Sequence, residues 1–247
     1  MDINTVRHDD IEVRVKRAID VLEAIQPEIN AVVTFIDPKE QVEALADKNA
    51  DSPLYGIPVV LKDNISTKGI RTTASSHILD NYVPVFDAAV VTKLREAGAV
   101  MIAKTSMDEL GMGGTNQNAH TGEVNNPWDP SRIAGGSSGG SAVSVACGAV
   151  AVAIGTDTGD SVRKPAAYNG IIGVKPTYGR ISRYGVIPYA SSLDHVGYFT
   201  SSVEDAAGVL EALAGRDDRD MTTSYKEVEA YASLLNNDVN GKRIGII

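Results

Sequence analysis

The hydrophobic positions along the chain follow two spacings, one typical of helices and one typical of buried strands. From Ile11 to Ile25 the apolar residues recur at helical spacing, and Asp9 or Asp10 is placed to cap the start of this helix. Short runs that are almost wholly apolar predict buried strands, and they occupy residues 31–36, 57–61, 100–103 and 171–174.

Further helices are predicted between these strands. They follow Pro38 and occupy residues 88–97, 142–154 and the stretch from Ser201 to Gly215. Asp87 and Gly98 are expected to begin and end the helix over 88–97, and residues 201–204 resemble a capping box. Residues 191–196 are typical of a turn. Strands that alternate with helices predict an α/β fold in which helices cover both faces of a sheet.

Residues 111–141 are rich in Gly, Asn and Thr, which predicts a long loop. A long irregular segment inside an α/β fold is either functional or disordered in most cases. This one ends in Gly135-Gly136-Ser137-Ser138-Gly139-Gly140-Ser141, called the Gly-rich run below. Such runs are common in flexible linkers, but both flanks of this run are predicted to be ordered, which disfavours a linker.

The last residues of the chain, 242–247, resemble the start of a buried strand. A buried strand is an unusual end for a domain. We therefore expect residues 1–247 to form the N-terminal portion of a single domain that continues beyond residue 247.

The charge balance is acidic, with a formal net charge of −9, and 43% of the residues are hydrophobic. This composition predicts a globular chain without the broad basic surface that binds nucleic acid, so another component would have to hold an RNA substrate. Cys147 is the single cysteine, which excludes an internal disulfide and fits a reducing cytoplasm. No signal peptide opens the chain, and the longest apolar run is too short to span a membrane.

One interpretation of the Gly-rich run is a nucleophile elbow, because residues 135–139 match G-x-S-x-G. That elbow needs a strand directly before it, which residues 126–130 do not provide, and a histidine after it, which leaves His195. A lone histidine is more often structural. A zinc site has little support without H-E-x-x-H or a cysteine pair. Cys147 lies among small apolar residues, which favours a buried side chain over a thiol nucleophile.

Three motifs together resemble the amidase signature family. They are the run from Gly135 to Ala142, Asp157-Thr158-Gly159-x-Ser161-x-Arg163-x-Pro165-Ala166 and Gly173-Val174-Lys175-Pro176-Thr177. The resemblance implies a three-layer α/β/α sandwich with a mixed central sheet, truncated at its C-terminus in this chain. Within the family, the chain is most similar to the A subunits of glutamyl-tRNA(Gln) amidotransferases, on residues 104–110, 125–129, 175–185 and 191–194.

The resemblance implies a triad of Ser161 as nucleophile, Ser137 as bridging serine and Lys62 as base. It also implies a cis peptide bond between Gly136 and Ser137. Lys62 must be neutral to accept a proton, and lowering its pKa from about 10.4 toward about 7 costs roughly 4–5 kcal/mol. The apolar residues 57–61 would supply the desolvation. Without the resemblance, a surface lysine paired with Asp63 is the favoured interpretation of Lys62.

The resemblance also implies an oxyanion hole, in which each backbone N–H would contribute roughly 10²–10³ in rate. Its expected members are Thr158, Gly159, Asp160 and Ser161. Asp157 and Arg163 are expected to form a structural ion pair that orients this loop, and Gly136 is expected to support the cis bond. No metal ligand is expected.

Two positions depart from the family pattern. Asp160 stands at a position that is usually glycine in the family, and a carboxylate beside a developing oxyanion would oppose catalysis. Lys164 replaces a polar residue that is often glutamine. The two side chains are four positions apart, so they can pair on a helical turn unless Pro165 disturbs it. We hypothesise that the two changes compensate, with the Asp160 side chain turned away from the oxyanion.

The resemblance implies a glutamine amidohydrolase that supplies ammonia for the conversion of Glu-tRNA(Gln) to Gln-tRNA(Gln). The expected partners are glutamine and the B and C subunits of a heterotrimer, with the tRNA held mainly by a partner subunit. No cofactor is expected on this chain, and ATP and Mg²⁺ are expected at a partner subunit. Two alternatives stay open: a stand-alone amidase of small amides, and a non-catalytic scaffold protein, for which Asp160 is the best argument.

Overall fold

The computed structural model describes residues 2–235, 240–243 and 245, and a mixed sheet of six strands organises this part of the chain. The strands are β1 (Val32–Phe35), β2 (Pro58–Lys62), β3 (Val100–Thr105), β4 (Val152–Asp157), β5 (Ile172–Val174) and β6 (His195–Thr200). The α-helices are α1 (Ile3–Arg7), α2 (Ile11–Ile29), α3 (Lys39–Glu43), α4 (Ala89–Glu96), α5 (Gly139–Ala146), α6 (Arg163–Asn169) and α7 (Val203–Leu213). Short 3₁₀ segments occupy Ala44–Asp47, His77–Leu79, Glu109–Gly111 and Tyr231–Leu234.

The strand order is β1-β3-β2-β4-β6-β5. β2 pairs in parallel with β3 and β4, whereas the β1–β3, β4–β6 and β5–β6 pairs are antiparallel. Every residue of β2, β3 and β4 is buried. Parallel strands covered on both faces have nearly continuous apolar sequences, which is why β2 and β3 could be predicted.

The side chains of β2 separate two hydrophobic cores, one on each face of the sheet. Val59 and Leu61 belong to the core that includes residues of α4 and α7. Val60, between them, belongs to the core that includes residues of α2, α5 and α6. Because alternate strand residues point to opposite faces, the helices form two layers around the sheet. The predicted α/β/α sandwich is confirmed.

The predicted helix over residues 142–154 is wrong in its second half. α5 ends at Ala146, the chain turns through Gly148 with φ of +71°, and β4 begins at Val152. The residues of β4 are small and apolar like those of α5. A buried strand and a buried helix cannot be separated by hydrophobic periodicity in so short a run.

The turn predicted over residues 191–196 ends early, because His195 begins β6. Gly197 hid this strand from sequence analysis, since glycine is unfavourable in strands. A Cβ atom at position 197 would lie 2.5 Å from the carbonyl oxygen of Val174 in β5. Close packing of the two strands therefore requires the residue that weakens the strand pattern.

One predicted helix cap differs from the structure. Asp87 does not cap α4, whose N-cap is Ala88. The Asp87 carboxylate instead accepts hydrogen bonds from the N–H of Lys68 at 2.7 Å and from Nε of Arg95 at 3.2 Å. α7 begins within the predicted capping box, where the hydroxyl of the N-cap residue Ser202 accepts the N–H of Asp205 at 3.0 Å.

The predicted strand over 242–247 lies largely outside the described residues, since 244, 246 and 247 are not among them. Of the helices in the described ranges, none combines the length and the apolar composition that a membrane crossing needs.

Candidate active site

The predicted site residues lie at one edge of the sheet, where the parallel strands β2 and β4 end. Lys62 is the last residue of β2 and Asp157 is the last residue of β4. The Gly-rich run leads from here into α5 and is buried, so the linker interpretation is wrong. The carboxyl ends of parallel strands are the usual position of binding sites in α/β folds.

Lys62 is fully buried, and its side-chain nitrogen contacts the Gly-rich run. Nζ donates a hydrogen bond to Ser137 Oγ at 2.7 Å and a longer one to the carbonyl oxygen of Thr156 at 3.3 Å. Desolvation lowers the pKa of Lys62 to about 7, although nearby carboxylates oppose this effect. A large fraction of Lys62 is therefore neutral at pH 7 and able to accept a proton.

The alternative of a surface lysine paired with Asp63 is wrong. Asp63 is buried and faces Lys104, with Nζ of Lys104 at 3.6 Å from Oδ1 of Asp63. Lys104 Nζ also donates to the carbonyl oxygen of Ile65 and to Thr72 Oγ1, each at 2.7 Å. The consecutive residues Lys62 and Asp63 therefore belong to two separate polar clusters.

The Gly136–Ser137 peptide bond is cis, as the family resemblance predicts. A Cβ atom at position 136 would lie 2.0 Å from Oδ2 of Asp108, so only glycine fits there. The next residue, Ser138, donates through Oγ to the carbonyl oxygen of Thr156 at 3.1 Å. This oxygen also accepts from the lysine at the end of β2, so Ser138 and Lys62 share one acceptor on β4.

Ser161 lies beside the Gly-rich run, although it belongs to a separate motif. It is nearly buried, and its carbonyl oxygen accepts the N–H of Ser138 at 3.2 Å. This contact places Ser161 next to the segment that carries Ser137. The structure thus brings Lys62, Ser137 and Ser161 to the same end of the sheet.

The turn from Thr158 to Ser161 is fixed by side chains on both sides. Thr158 Oγ1 donates to Oδ1 of Asp194 at 2.5 Å. The carbonyl oxygen of Gly159 accepts a hydrogen bond from the guanidinium of Arg163. A rigid turn suits an oxyanion hole, because fixed N–H groups need no reorganisation during the reaction. The oxyanion hole itself stays a prediction.

Asp157 and Arg163 form the predicted structural ion pair. The Asp157 carboxylate accepts from Nη2 of Arg163 at 2.9 Å, from its Nε at 3.2 Å, and from the backbone N–H of Val162 at 2.9 Å. Burial raises the pKa of Asp157, but these hydrogen bonds outweigh burial and hold the pKa below its usual value. Asp157 is therefore ionised, and its carboxylate fixes the start of α6.

Asp160 is engaged by Lys164, as the compensation hypothesis requires. Nζ of Lys164 lies 2.7 Å from Oδ2 of Asp160, and the backbone N–H of Lys164 donates to the Asp160 carbonyl oxygen at 2.8 Å. Pro165 does not disturb this turn, because it lies in the first turn of α6, where proline is tolerated.

The other candidates are placed outside this chemistry. His195 contacts the carbonyl oxygen of Leu193 through Nδ1 at 2.7 Å and Lys175 through Nε2 at 3.4 Å, so Ser137 is partnered by a lysine rather than a histidine. Burial raises the pKa of Cys147 to about 11, which disfavours a thiolate. Among the described residues, no three His, Cys, Asp or Glu side chains are grouped to hold a metal ion.

The family model described as Amidase matches residues 14–247. The chain belongs to the amidase family. This amidase-family chain is 50% identical over 237 residues to the A subunit of glutamyl-tRNA(Gln) amidotransferase from Carboxydothermus hydrogenoformans, an alignment that covers 94% of this chain and 49% of that protein. The chain spans about half the length of the curated relatives it matches.

Solved structures give the same assignment. The crystal structure of the glutamyl-tRNA(Gln) amidotransferase A subunit from Thermotoga maritima has a TM-score of 0.82 and 42% identity, covering 92% of this chain and 49% of that chain. Native peptide amidase from Stenotrophomonas maltophilia has a TM-score of 0.86 and 34% identity, covering 95% of this chain and 53% of that chain.

Sequence analysis of this amidase-family chain missed two carboxylates near Lys62, those of Asp108 and Asp194. Both lie in stretches that resemble the family, but neither was assigned a role. The sequence carries only an indirect signal for Asp108, namely Gly113 and Gly136, which leave room for its carboxylate in the fold. Asp194 is marked by its contact with Thr158. This contact forms only when β6 pairs with β4, so local sequence does not show it.

Proposed function

We propose that this chain is the N-terminal portion of a single amidase-signature domain and acts in the glutamine-hydrolysing component, the A subunit, of a tRNA-dependent amidotransferase. The identity to A subunits over nearly the whole of this chain supports the proposal. The single observation that carries the chemistry is the contact between buried Lys62 and Ser137 Oγ at 2.7 Å, in a site that also contains Ser161.

In this scheme neutral Lys62 accepts the proton of the Ser137 hydroxyl while Ser137 takes the proton of Ser161. Ser161 Oγ attacks the carbonyl carbon of the glutamine side-chain amide. Backbone N–H groups of the turn 158–161 hold the oxyanion. The C–N bond then breaks, and the proton returns through Ser137 to the leaving nitrogen, which departs as ammonia. Water attacks the Ser161 ester by the same relay and releases glutamate.

We assign the remaining steps to partner subunits. The B and C subunits complete a heterotrimer in the cytoplasm, and one of them activates the glutamate on the misacylated tRNA with ATP and Mg²⁺. Among the residues that the structure describes, His, Cys, Asp and Glu side chains form no group of three that could hold a metal ion. The net charge of −9 supports a division of labour in which a partner holds the tRNA.

A stand-alone amidase is the second candidate, and the similarity to a peptide amidase with a TM-score of 0.86 favours it. Ammonia release from glutamine distinguishes the two candidates. We expect the complete protein that contains this chain, assembled with its B and C subunits, to release ammonia from glutamine and to refuse simple amides such as acetamide. Rapid hydrolysis of simple amides and peptide amides, with glutamine refused, would establish the second candidate instead.

The scaffold alternative is tested through Asp160 and Lys164. Lys164→Gln is expected to lower kcat roughly tenfold, equivalent to about 1.4 kcal/mol, because it frees a carboxylate beside the nucleophile. The double variant Asp160→Gly with Lys164→Gln is expected to recover the parent rate, since it removes the carboxylate as well. Steady-state kinetics of the parent, both single variants and the double variant form a complete cycle. An unchanged rate in Lys164→Gln would remove the compensation hypothesis, and inactivity of all four would favour a scaffold.

A further inference from the structure

Three carboxylates act on Lys62, and each comes from a different part of the chain: Asp108, Asp157 and Asp194. Two of them already have partners that explain their positions. Asp157 is paired with a guanidinium at the start of α6, and Asp194 accepts hydrogen bonds from a threonine hydroxyl and from backbone N–H groups. Asp108 has no cation within salt-bridge distance among the described ion pairs, so no direct ion pair accounts for its charge.

Asp108 is joined to the Gly-rich run through its main chain. Its N–H donates to the carbonyl oxygen of Ser137 at 3.1 Å. The same residue therefore fixes the orientation of the serine whose hydroxyl contacts Lys62. This hydrogen bond is independent of the Asp108 side chain, so a side-chain variant leaves it available.

The Asp108 carboxylate is fully buried and is tightly enclosed. Oδ1 accepts the N–H of Asn116 at 3.0 Å, and Oδ2 has no hydrogen-bond partner. A Cβ atom at Gly113 would lie 2.3 Å from its Cγ, and one at Gly136 would lie 2.0 Å from its Oδ2. Two glycines thus make room for this carboxylate directly against the cis peptide bond.

The turn that contains Gly114 and Asn116 contacts both the Asp108 carboxylate and the Gly-rich run. The carbonyl oxygen of Gly114 accepts the N–H of Gly136 at 2.9 Å, and Oδ1 of Asn116 accepts the N–H of Gly139 at 2.9 Å. Asp108 Oδ1 accepts the N–H of Asn116, which lies in the same turn. The carboxylate therefore connects a loop to both ends of the segment that presents Ser137.

We propose that Asp108 is a positioning residue for the Lys62–Ser137 pair: its main chain and carboxylate fix the Gly-rich run, and its buried negative charge stabilises the ammonium form of Lys62. This inference rests on the proposed function, in which Lys62 is the base. Burying a charged carboxylate that contacts no cation costs free energy. An electrostatic effect on Lys62 gives this buried charge a function.

The sign of the charge effect follows from the groups around Lys62. Desolvation lowers the pKa of Lys62 to about 7, and the negative charges of Asp108, Asp157 and Asp194 raise it against that effect. Burial holds the pKa of Asp108 above its usual value, although the N–H of Asn116 and the charge of Lys62 lower it against that effect. Removing the charge of Asp108 leaves desolvation less opposed, so Lys62 loses its proton at a lower pH.

The test is the pH profile of kcat/KM for ammonia release by the complete, assembled protein. In the parent, activity is expected to rise with pH through about 7, as Lys62 becomes neutral. In Asp108→Asn this acid limb is expected to move to lower pH by about one unit, a typical effect of one nearby charge. The plateau is expected to fall, because a neutral amide oxygen accepts the N–H of Asn116 more weakly than a carboxylate does. An asparagine keeps the Oδ1 acceptor for Asn116, so the fold is expected to persist.

Asp205→Asn is the matched control, because Asp205 is also a buried carboxylate that accepts a backbone N–H, that of Ile3 at 3.0 Å, but it lies outside the set acting on Lys62. Its acid limb is expected to match that of the parent. If Asp108→Asn does not fold, Asp108→Ser removes the same charge and leaves room for water. An acid limb at the parent position in a folded Asp108 variant would overturn the proposal, and failure of both variants to fold would make Asp108 a folding residue instead. Inactivity of the parent, by contrast, would count against the proposed function.

Discussion

Replacing Ser161 with alanine is expected to lower kcat for amide hydrolysis by roughly 10⁴-fold or more, because no other group in the scheme can carry the acyl group. The main chain of Ser161 contacts Ser138 through its carbonyl oxygen, which alanine keeps. The fold is therefore expected to remain intact, with the melting temperature close to that of the parent. The measurement is ammonia release by the complete, assembled protein at about pH 8, where most of Lys62 is neutral.

Ser144→Ala is the matched control for this loss. Ser144 is a buried serine of α5 whose hydroxyl donates to the carbonyl oxygen of Gly140 at 2.7 Å, one helical turn earlier. Removing this hydroxyl leaves the helix bonds in place, so activity is expected to stay within about twofold of the parent. Full activity in Ser161→Ala would exclude Ser161 as the nucleophile. A comparable loss in both variants would point to damaged packing.

The two buried lysines are expected to respond to methionine substitution in opposite ways. Lys62→Met is expected to abolish amide hydrolysis but to raise the free energy of unfolding by about 2–3 kcal/mol at neutral pH. Burying Lys62 costs roughly 4–5 kcal/mol, since its pKa falls from 10.5 to about 7. Its two hydrogen bonds return about 1 kcal/mol each.

Lys104→Met is expected to destabilise the fold by about 3–5 kcal/mol, because it leaves the buried carboxylate of Asp63 without a cation. Burial lowers the pKa of Lys104 to about 8, so this lysine is still charged at pH 7. Denaturant unfolding of the complete protein measures both changes. Equal destabilisation in the two variants would contradict the distinction between a poised base and a structural ion pair.

The pH dependence of stability gives an independent check on Lys62. Its pKa is lower in the folded state than in the unfolded state, so between about 7 and 10.5 the unfolded state binds more protons. Stability is therefore expected to rise with pH across this window. Part of that rise is expected to disappear in Lys62→Met, and an unchanged slope would show that Lys62 is not held in a neutral form.

Local sequence predicted those parts of the fold whose signals are local. β2 and β3 are covered on both faces, so a continuous apolar run was enough to predict them. α2 has one buried face and was predicted from its helical spacing. β4 and β6 were missed for different reasons, since β4 continues the small apolar sequence of α5 and β6 contains a glycine that close packing against β5 requires.

The site was predicted from motifs rather than from residue chemistry. The resemblance placed Lys62, Ser137 and Ser161 in one site, and the structure brings them to the same end of the sheet. The residues alone favoured a different pairing, between Lys62 and Asp63. That prediction was wrong because adjacent residues at the end of a strand point to opposite sides, which sends Asp63 toward Lys104.

The sequence by itself determined the family, the alternation of strands and helices, the acidic charge, and the glycines that permit the turn before α5. Only the tertiary structure decided which buried lysine is suited to the proposed role of base. Leu61 of β2 is paired with Lys104 of β3, and each lysine comes after the apolar residues of its own strand. Both lysines are desolvated, but Lys104 lies beside the carboxylate of Asp63, whereas Lys62 contacts the hydroxyl of Ser137. A pKa depends on burial and on charges brought together from distant parts of the chain, and local sequence does not contain that information.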